Sequence, residues 1–224
     1  MISADRLLAI ASWARELSPE EIDKARRGVT EKSYPKDSYV LHHGDQNDCW
    51  HGVVSGILRL GLVSRKGKVA TLAGLRGGAW FGEGTIIKGE ARRYDLVALR
   101  DSRIAIMNRQ TFFWLFEHSA AFNRYLVRQF NERLGQFIAL AEYDRILDAP
   151  ARLARNLAWL FNPQLYPDGG MRLEITQEEI GLLAGMSRQV ANQALALLEK
   201  DGLIALERSA ILIRDVEGLA RYGG

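Results

Sequence analysis

The chain has 224 residues, 47% hydrophobic and 25% charged, the balance of a globular protein with room for two modest domains. No apolar run reaches the length of a membrane span, and the N-terminal MISADRLLAIASWARELSPEE lacks the basic region of a secretory signal, so a cytoplasmic location is expected. A single cysteine, Cys49, excludes an internal disulfide and four-cysteine zinc or iron–sulfur sites.

Residues 4–28 read as helical. Ser18, Pro19 and Glu21 spell a capping box with proline at the first helical position. Between Gly44 and Gly89 lie 11 of the 21 glycines, separating short apolar or alternating runs such as GVVSGILRLGLVS and GKVATLAGLRGG. RRYDLVAL and SRIAIMN continue the pattern, which predicts an all-β roll. Within it Leu58, Leu60 and Leu62 are expected on one face, with Arg59, Gly61 and Val63 on the other. His42 and His43, if on a strand, point to opposite faces.

From Thr111 the period becomes helical. Val127, Phe130, Leu134, Phe137, Ala141 and Asp144 are spaced 3, 4, 3, 4, 3, a heptad seam. A helix of about 30 residues spans roughly 45 Å, too long for one small β domain to cover, so the seam predicts a homodimer. Asp148-Ala149-Pro150 is expected to stop it, and a short helix over 152–161 to follow. The expected divisions are a β domain with N-terminal helices (1–117), a dimerisation helix (118–147) and a C-terminal module (148–224).

That module holds 8 basic and 10 acidic residues, against 22 and 17 in the rest, although the whole chain carries +3. Thr176 and Glu179 form a second capping box, and Ile180, Leu183 and Ala184 give its helix an apolar face. Gly185 suits the left-handed position after a helix, and Ser187 caps a second one. The second helix carries Val190, Ala194, Leu197 and Leu198 at 3- and 4-residue spacing and shows Arg188, Gln189, Asn192 and Gln193 on its other face. Leu203–Leu206 and Ile211–Ile213, joined by Glu207-Arg208-Ser209-Ala210, read as a wing. A helix–turn–helix puts the start of its second helix in the major groove, where Arg grips guanine and Asn or Gln grips adenine. Double-stranded DNA with a palindromic operator is the expected partner, through Thr176, Ser187, Arg188, Gln189, Asn192, Gln193 and Arg208, with Arg152 or Arg155 reaching the backbone. Two other readings stay open: a winged helix that binds protein, and a cupin-like metalloenzyme, for which no His-x-His…Glu pattern is present.

The chain resembles the Crp/Fnr family of bacterial transcription regulators over roughly residues 20–220, most specifically in LRGGAWFGEG (75–84) and ITQEEIGLLAGMSRQVANQALALLEKDGLI (175–204). The resemblance implies an α+β fold: a double-stranded, jelly-roll-like β-roll sensor, a long dimer helix and a C-terminal winged helix–turn–helix. It implies no catalysis and RNA polymerase as a further partner; it leaves the effector open, a nucleotide-type small molecule among the candidates, and the single Cys49 excludes the cysteine-held iron–sulfur cluster of other members. Gly82-Glu83 and Arg92 match the family's cyclic-nucleotide residues, with Arg93 at a serine position and Phe137 and Ile138 where the long helix offers hydroxyls to the base. Gly82, Glu83, Arg92, Arg93 and Phe137 are therefore the expected effector site, poorly suited to cyclic AMP. The plain structural alternative for Glu83 and Arg92 is an ion pair inside the roll.

Overall fold

The computed structural model describes residues 1–46, 48–63, 69–167 and 169–223, and not the side chains of 63, 69 and 144–146. The expectations for Val63 and Asp144 therefore lie outside the described residues.

Two short helices, α1 (Ala4–Ile10) and α2 (Pro19–Arg27), flank a tight turn at Ser12–Glu16. Both halves of the Ser18–Glu21 capping box form. Nine short segments then wind into the sensor: β1 (Val29–Tyr34), β2 (Tyr39–Leu41), β3 (Cys49–Ser55), β4 (Ile57–Val63), β5 (Val69–Arg76), β6 (Trp80–Phe81), α3 (Glu83–Lys88), β7 (Asp95–Ala98) and β8 (Ser102–Asn108). Its strands form two antiparallel four-stranded sheets, ordered β1-β8-β3-β6 and β2-β7-β4-β5. This is the roll that the glycine-punctuated pattern predicts. Trp13, Trp50 and Trp80 anchor one core, with ring centroids 5.4, 5.3 and 4.4 Å apart.

Two details of the roll depart from expectation. Leu58 and Leu60 are buried, but Leu62 is 38% exposed. Leu60 pairs with Ala73 and Gly61 with Thr71, so Leu72 is an extra residue on β5. A bulge bends and twists a strand pair, and the outer end of this hairpin leaves the core. His42 and His43 lie in the turn after β2, both exposed, so the argument about opposite strand faces does not apply to them.

Asn108 caps α4 (Arg109–His118) and Ser119 caps α5 (Ala120–Ile146), so the long helix begins at its own cap instead of running on from 118. Asp148-Ala149-Pro150 does more than end it. Asp148 accepts from the Ala151 amide at 2.9 Å and Pro150 sits in the first turn, which starts α6 (Ala149–Trp159) three residues earlier than expected.

The C-terminal module continues through β9 (Arg172–Leu173), α7 (Gln177–Leu183), α8 (Arg188–Lys200), β10 (Ile204–Leu206), β11 (Ile211–Ile213) and α9 (Val216–Arg221). The wing pairs as read, and the two-residue β9 joins it on the far side of β11. Gly185 has φ +63, with Met186 N–H bonded to the Gly181 carbonyl at 2.9 Å, the left-handed closure that glycine permits. Among the described residues no helix is long and apolar enough to cross a membrane.

Candidate effector pocket and nucleic-acid interface

A cavity of about 430 Å³ opens between the roll and α5. Leu60, Leu75 and Phe81 wall it from the roll, and Phe130, Leu134 and Phe137 from the helix. Thr85 and Tyr94 carry the only hydroxyls in its described lining. Gly82 turns the chain into α3 at φ 96, a left-handed angle, and so delivers Glu83 to the pocket from the first position of that helix.

Glu83 is buried and its Oε2 accepts from Trp50 Nε1 at 3.2 Å. Burial raises its carboxyl above the ordinary range, partly offset by its own backbone amide and by the charge of Arg133. Arg92 is 1% exposed; its Nη1 donates to the Tyr94 hydroxyl at 3.2 Å and its guanidinium lies 5.3 Å from that ring. Its Nε and Nη2 are buried with no hydrogen-bond partner among the described residues. No ion pair joins it to Glu83, so the internal salt bridge does not form. His51, beside it, is held neutral: burial first and the Arg92 charge second push its pKa down to about 3.

Of the expected effector residues, the pocket lining gathers Gly82, Glu83, Arg93 and Phe137, while Arg92 stands behind the lining and Arg93 pairs with Glu90 at 2.8 Å. Ile138 is absent from the lining and 62% exposed. Sequence reading missed Tyr94 and Arg133. Arg133 faces the cavity from α5, bonded through Nη1 to Gln136 at 2.9 Å, with Nη2 buried and unpartnered among the described residues. Its place three residues after Phe130 and four before Phe137, on the edge of the seam, was the available signal.

The seam itself is a stripe of exposed apolar side chains. Val127 and Leu134 are 67% and 60% exposed, Phe130 and Phe137 are partly so, and Ala141 is exposed. Such a contiguous apolar face on a charged helix marks an interaction surface.

In the C-terminal module the capping box of α7 forms in both directions through Thr176 and Glu179. Ser187 caps α8 by accepting from the Val190 amide at 3.3 Å. Arg188, Gln189 and Gln193 are exposed on the first turns of α8. Asn192 is half-buried, and its Oδ1 is enclosed and unpartnered among the described residues. Two-bond recognition of an adenine by an asparagine uses that oxygen, which is enclosed here, whereas the amides of Gln189 and Gln193 are exposed. Arg208 is exposed at the wing turn. Arg155 is instead tied inward, donating to the Tyr222 carbonyl at 3.2 Å and lying over the Tyr143 ring.

Comparison with known proteins places two matches on this architecture. Residues 31–119 match a cyclic nucleotide-binding domain and residues 151–222 a Crp-like helix-turn-helix domain. The chain is 27% identical to a CRP-like cAMP-activated global transcriptional regulator of Mycobacterium tuberculosis, over 97% of this chain and 98% of that protein. It is 26% identical to a cyclic AMP receptor protein of Thermus thermophilus, over 89% of this chain and 90% of the other. Among solved structures it shares its fold with FixK2 of Bradyrhizobium japonicum, with TM-score 0.70 at 20% identity over 85% and 95% of the two chains. A CooA variant from Carboxydothermus hydrogenoformans gives 0.64 at 23% identity, over 88% and 89%.

Proposed function

This chain belongs to the Crp/Fnr family of transcription regulators and is not an enzyme, and from that premise we propose that it is a homodimer that binds a palindromic DNA operator and senses an anionic effector through its β-roll. It acts in the cytoplasm, on DNA and with RNA polymerase as the further partner. The proposed division is a sensor to 117, a dimer helix over 118–147 and a DNA-binding module from 148. The observation that carries the DNA reading is the exposed start of α8, where Arg188, Gln189 and Gln193 stand clear of the core with no acidic residue before Glu199. Arg188 reads guanine through two hydrogen bonds, and the glutamines read adenine. Thr176 and Ser187 offer hydroxyls at the two helix starts, and Arg208 follows the backbone from the wing. Val127, Phe130, Leu134, Phe137 and Ala141 meet their copies across the dimer axis.

The effector carries negative charge, because Arg92 Nε and Nη2 are buried without a hydrogen-bond partner among the described residues and an unpaired buried cation is costly. Cyclic AMP fits poorly. The helix side of the pocket offers Phe130, Leu134 and Phe137, with Arg133 as the one polar group and no hydroxyl in its described lining, and Arg93 replaces the hydroxyl that would help hold a cyclic phosphate. Titration calorimetry with cyclic AMP should show no low-micromolar binding. A low-micromolar constant abolished by Arg92→Ala would overturn that part of the reading. Selection from random duplexes tests the DNA part: the enriched site should be a palindrome with half-sites about 34 Å apart, each containing a G·C pair, and an asymmetric site would refute the two-fold docking.

A further inference from the structure

One strand connects the two ends of this molecule. Ala73 and Leu75 of β5 line the pocket between roll and helix. The alternate residues of the same strand hold the C-terminal module. Gly74 accepts from the Tyr166 hydroxyl at 3.0 Å, and a Cβ there would lie only 3.0 Å from the Leu160 and Leu183 side chains, so the module packs closely against this glycine. Arg76 is 7% exposed, donates to the Gly170 carbonyl at 3.1 Å and lies 4.5 Å from the Phe161 ring. The bulge at Leu72 brings Thr71 into the same set: its hydroxyl donates at 2.7 Å to the Leu182 carbonyl, an end-of-helix acceptor of α7.

A further tie comes from the turn before β8. Arg100 reaches Glu179 at 3.2 Å, and Glu179 is a capping-box residue only 5% exposed. The cores are shared as well. Tyr166 sits in the roll's core, and Ile57 and Leu99 of the roll sit in the module's core. α7 is thus fixed to the roll, and α8 is fixed to α7 by the close approach of Gly181 to Ala191. None of these contacts uses the side chain of Arg188, Gln189 or Gln193, so the recognition residues of α8 remain free.

We propose that β5 is a two-faced coupling strand, whose inner face walls the effector pocket and whose outer face sets the pose of the recognition helix and hence the half-site spacing that the dimer accepts. This rests on the DNA-binding reading above and assigns Thr71, Gly74, Arg76, Arg100 and Tyr166 as positioning residues. None of them touches the operator. A change in pocket occupancy displaces Ala73 and Leu75, and the neighbouring residues on the other face carry that displacement to α7.

The test uses the full chain and duplexes whose half-sites stand at the preferred separation or are shifted by about a quarter and a half turn of DNA. Thr71→Val with Tyr166→Phe deletes two hydroxyls at little change in volume. The double variant should lose about tenfold or more on the preferred duplex, keep its affinity for a single half-site, and so flatten the spacing preference. Arg100→Gln, at a half-buried site, should do the same without touching the core. Leu75→Ala, on the pocket face, should also flatten it, whereas Met107→Ala, equally buried but on β8, should not. Wild-type spacing preference retained in the double variant, in Arg100→Gln and in Leu75→Ala would overturn the coupling alone. Absence of specific DNA binding by the wild type would instead overturn the regulator reading on which it rests.

Discussion

Arg188 opens α8 with an exposed side chain, and its loss should be felt in base choice more than in bulk affinity. Arg188→Ala is expected to cost about 1–3 kcal/mol on the preferred operator and to relax discrimination at one base pair, with the dimer intact. Footprinting and competition with single-base operator variants measure both effects, and unchanged preference would misplace the helix. His51 gives a second expectation at this scale. Its folded pKa is lowered to about 3, so between that value and the ordinary 6.5 the unfolded chain binds a proton that the folded one refuses. Stability is then complete above pH 6.5 and falls as the pH drops, by up to about 1.4 kcal/mol per pH unit. Urea melts of wild type and His51→Gln across that window should converge toward acid, and parallel curves would disprove the assignment. Arg188, Gln189 and Gln193 were legible in the sequence because a cap and a 3–4 apolar spacing fix which face of a helix is wet. The state of Glu83 and Arg92 was not legible. Whether two matched residues touch depends on side-chain paths that spacing does not encode, and here Arg92 turns to Tyr94 instead.

Single elements carry their own expectations. α5 presents Val127, Phe130, Leu134 and Phe137 along one face, four apolar side chains at heptad spacing with large exposed area. Joint replacement of Phe130 and Phe137 by Glu should place charge at the dimer seam, a strongly unfavourable burial. Sedimentation should show monomers with poor operator affinity, while circular dichroism keeps the helical signal. A wild-type monomer at micromolar concentration would contradict the seam. Caps explain why helices were readable: Ser18, Thr176 and Ser187 each satisfy an amide that a helix start leaves open. The β9 strand escaped because two residues carry no period. The bulge at Leu72 escaped because an inserted residue leaves the local pattern of Leu58 and Leu60 intact and alters only the outer end of the hairpin.

Across the whole molecule, charge is divided against expectation for a DNA-binding protein. The C-terminal module holds 8 basic and 10 acidic residues, and the basic surplus lies in the rest of the chain. Arg172 is engaged by Glu174 and Glu207, Arg221 by Glu217, and Arg155 turns inward; of the remaining cations, Arg188 and Arg208 lie exposed at the start of α8 and at the wing turn. Since the salt slope is about −0.9 per neutralised phosphate, the operator affinity should fall with a slope well short of about −10, measured by fluorescence anisotropy across a salt series. A steep slope would mean that the roll also lies along the backbone. The tryptophans are divided just as unevenly. Trp13, Trp50 and Trp80 are stacked in one core of the roll, Trp114 and Trp159 pack against the roll's cores, and the buried core of the DNA-binding module contains none among its described residues. Emission from this protein therefore reports the sensor through Trp13, Trp50, Trp80 and Trp114, and the seam between roll and winged helix through Trp159 at the end of α6. A thermal melt followed by fluorescence will register separation of the two at Trp159, while loosening confined to the tryptophan-free core of the winged helix will register in the far ultraviolet.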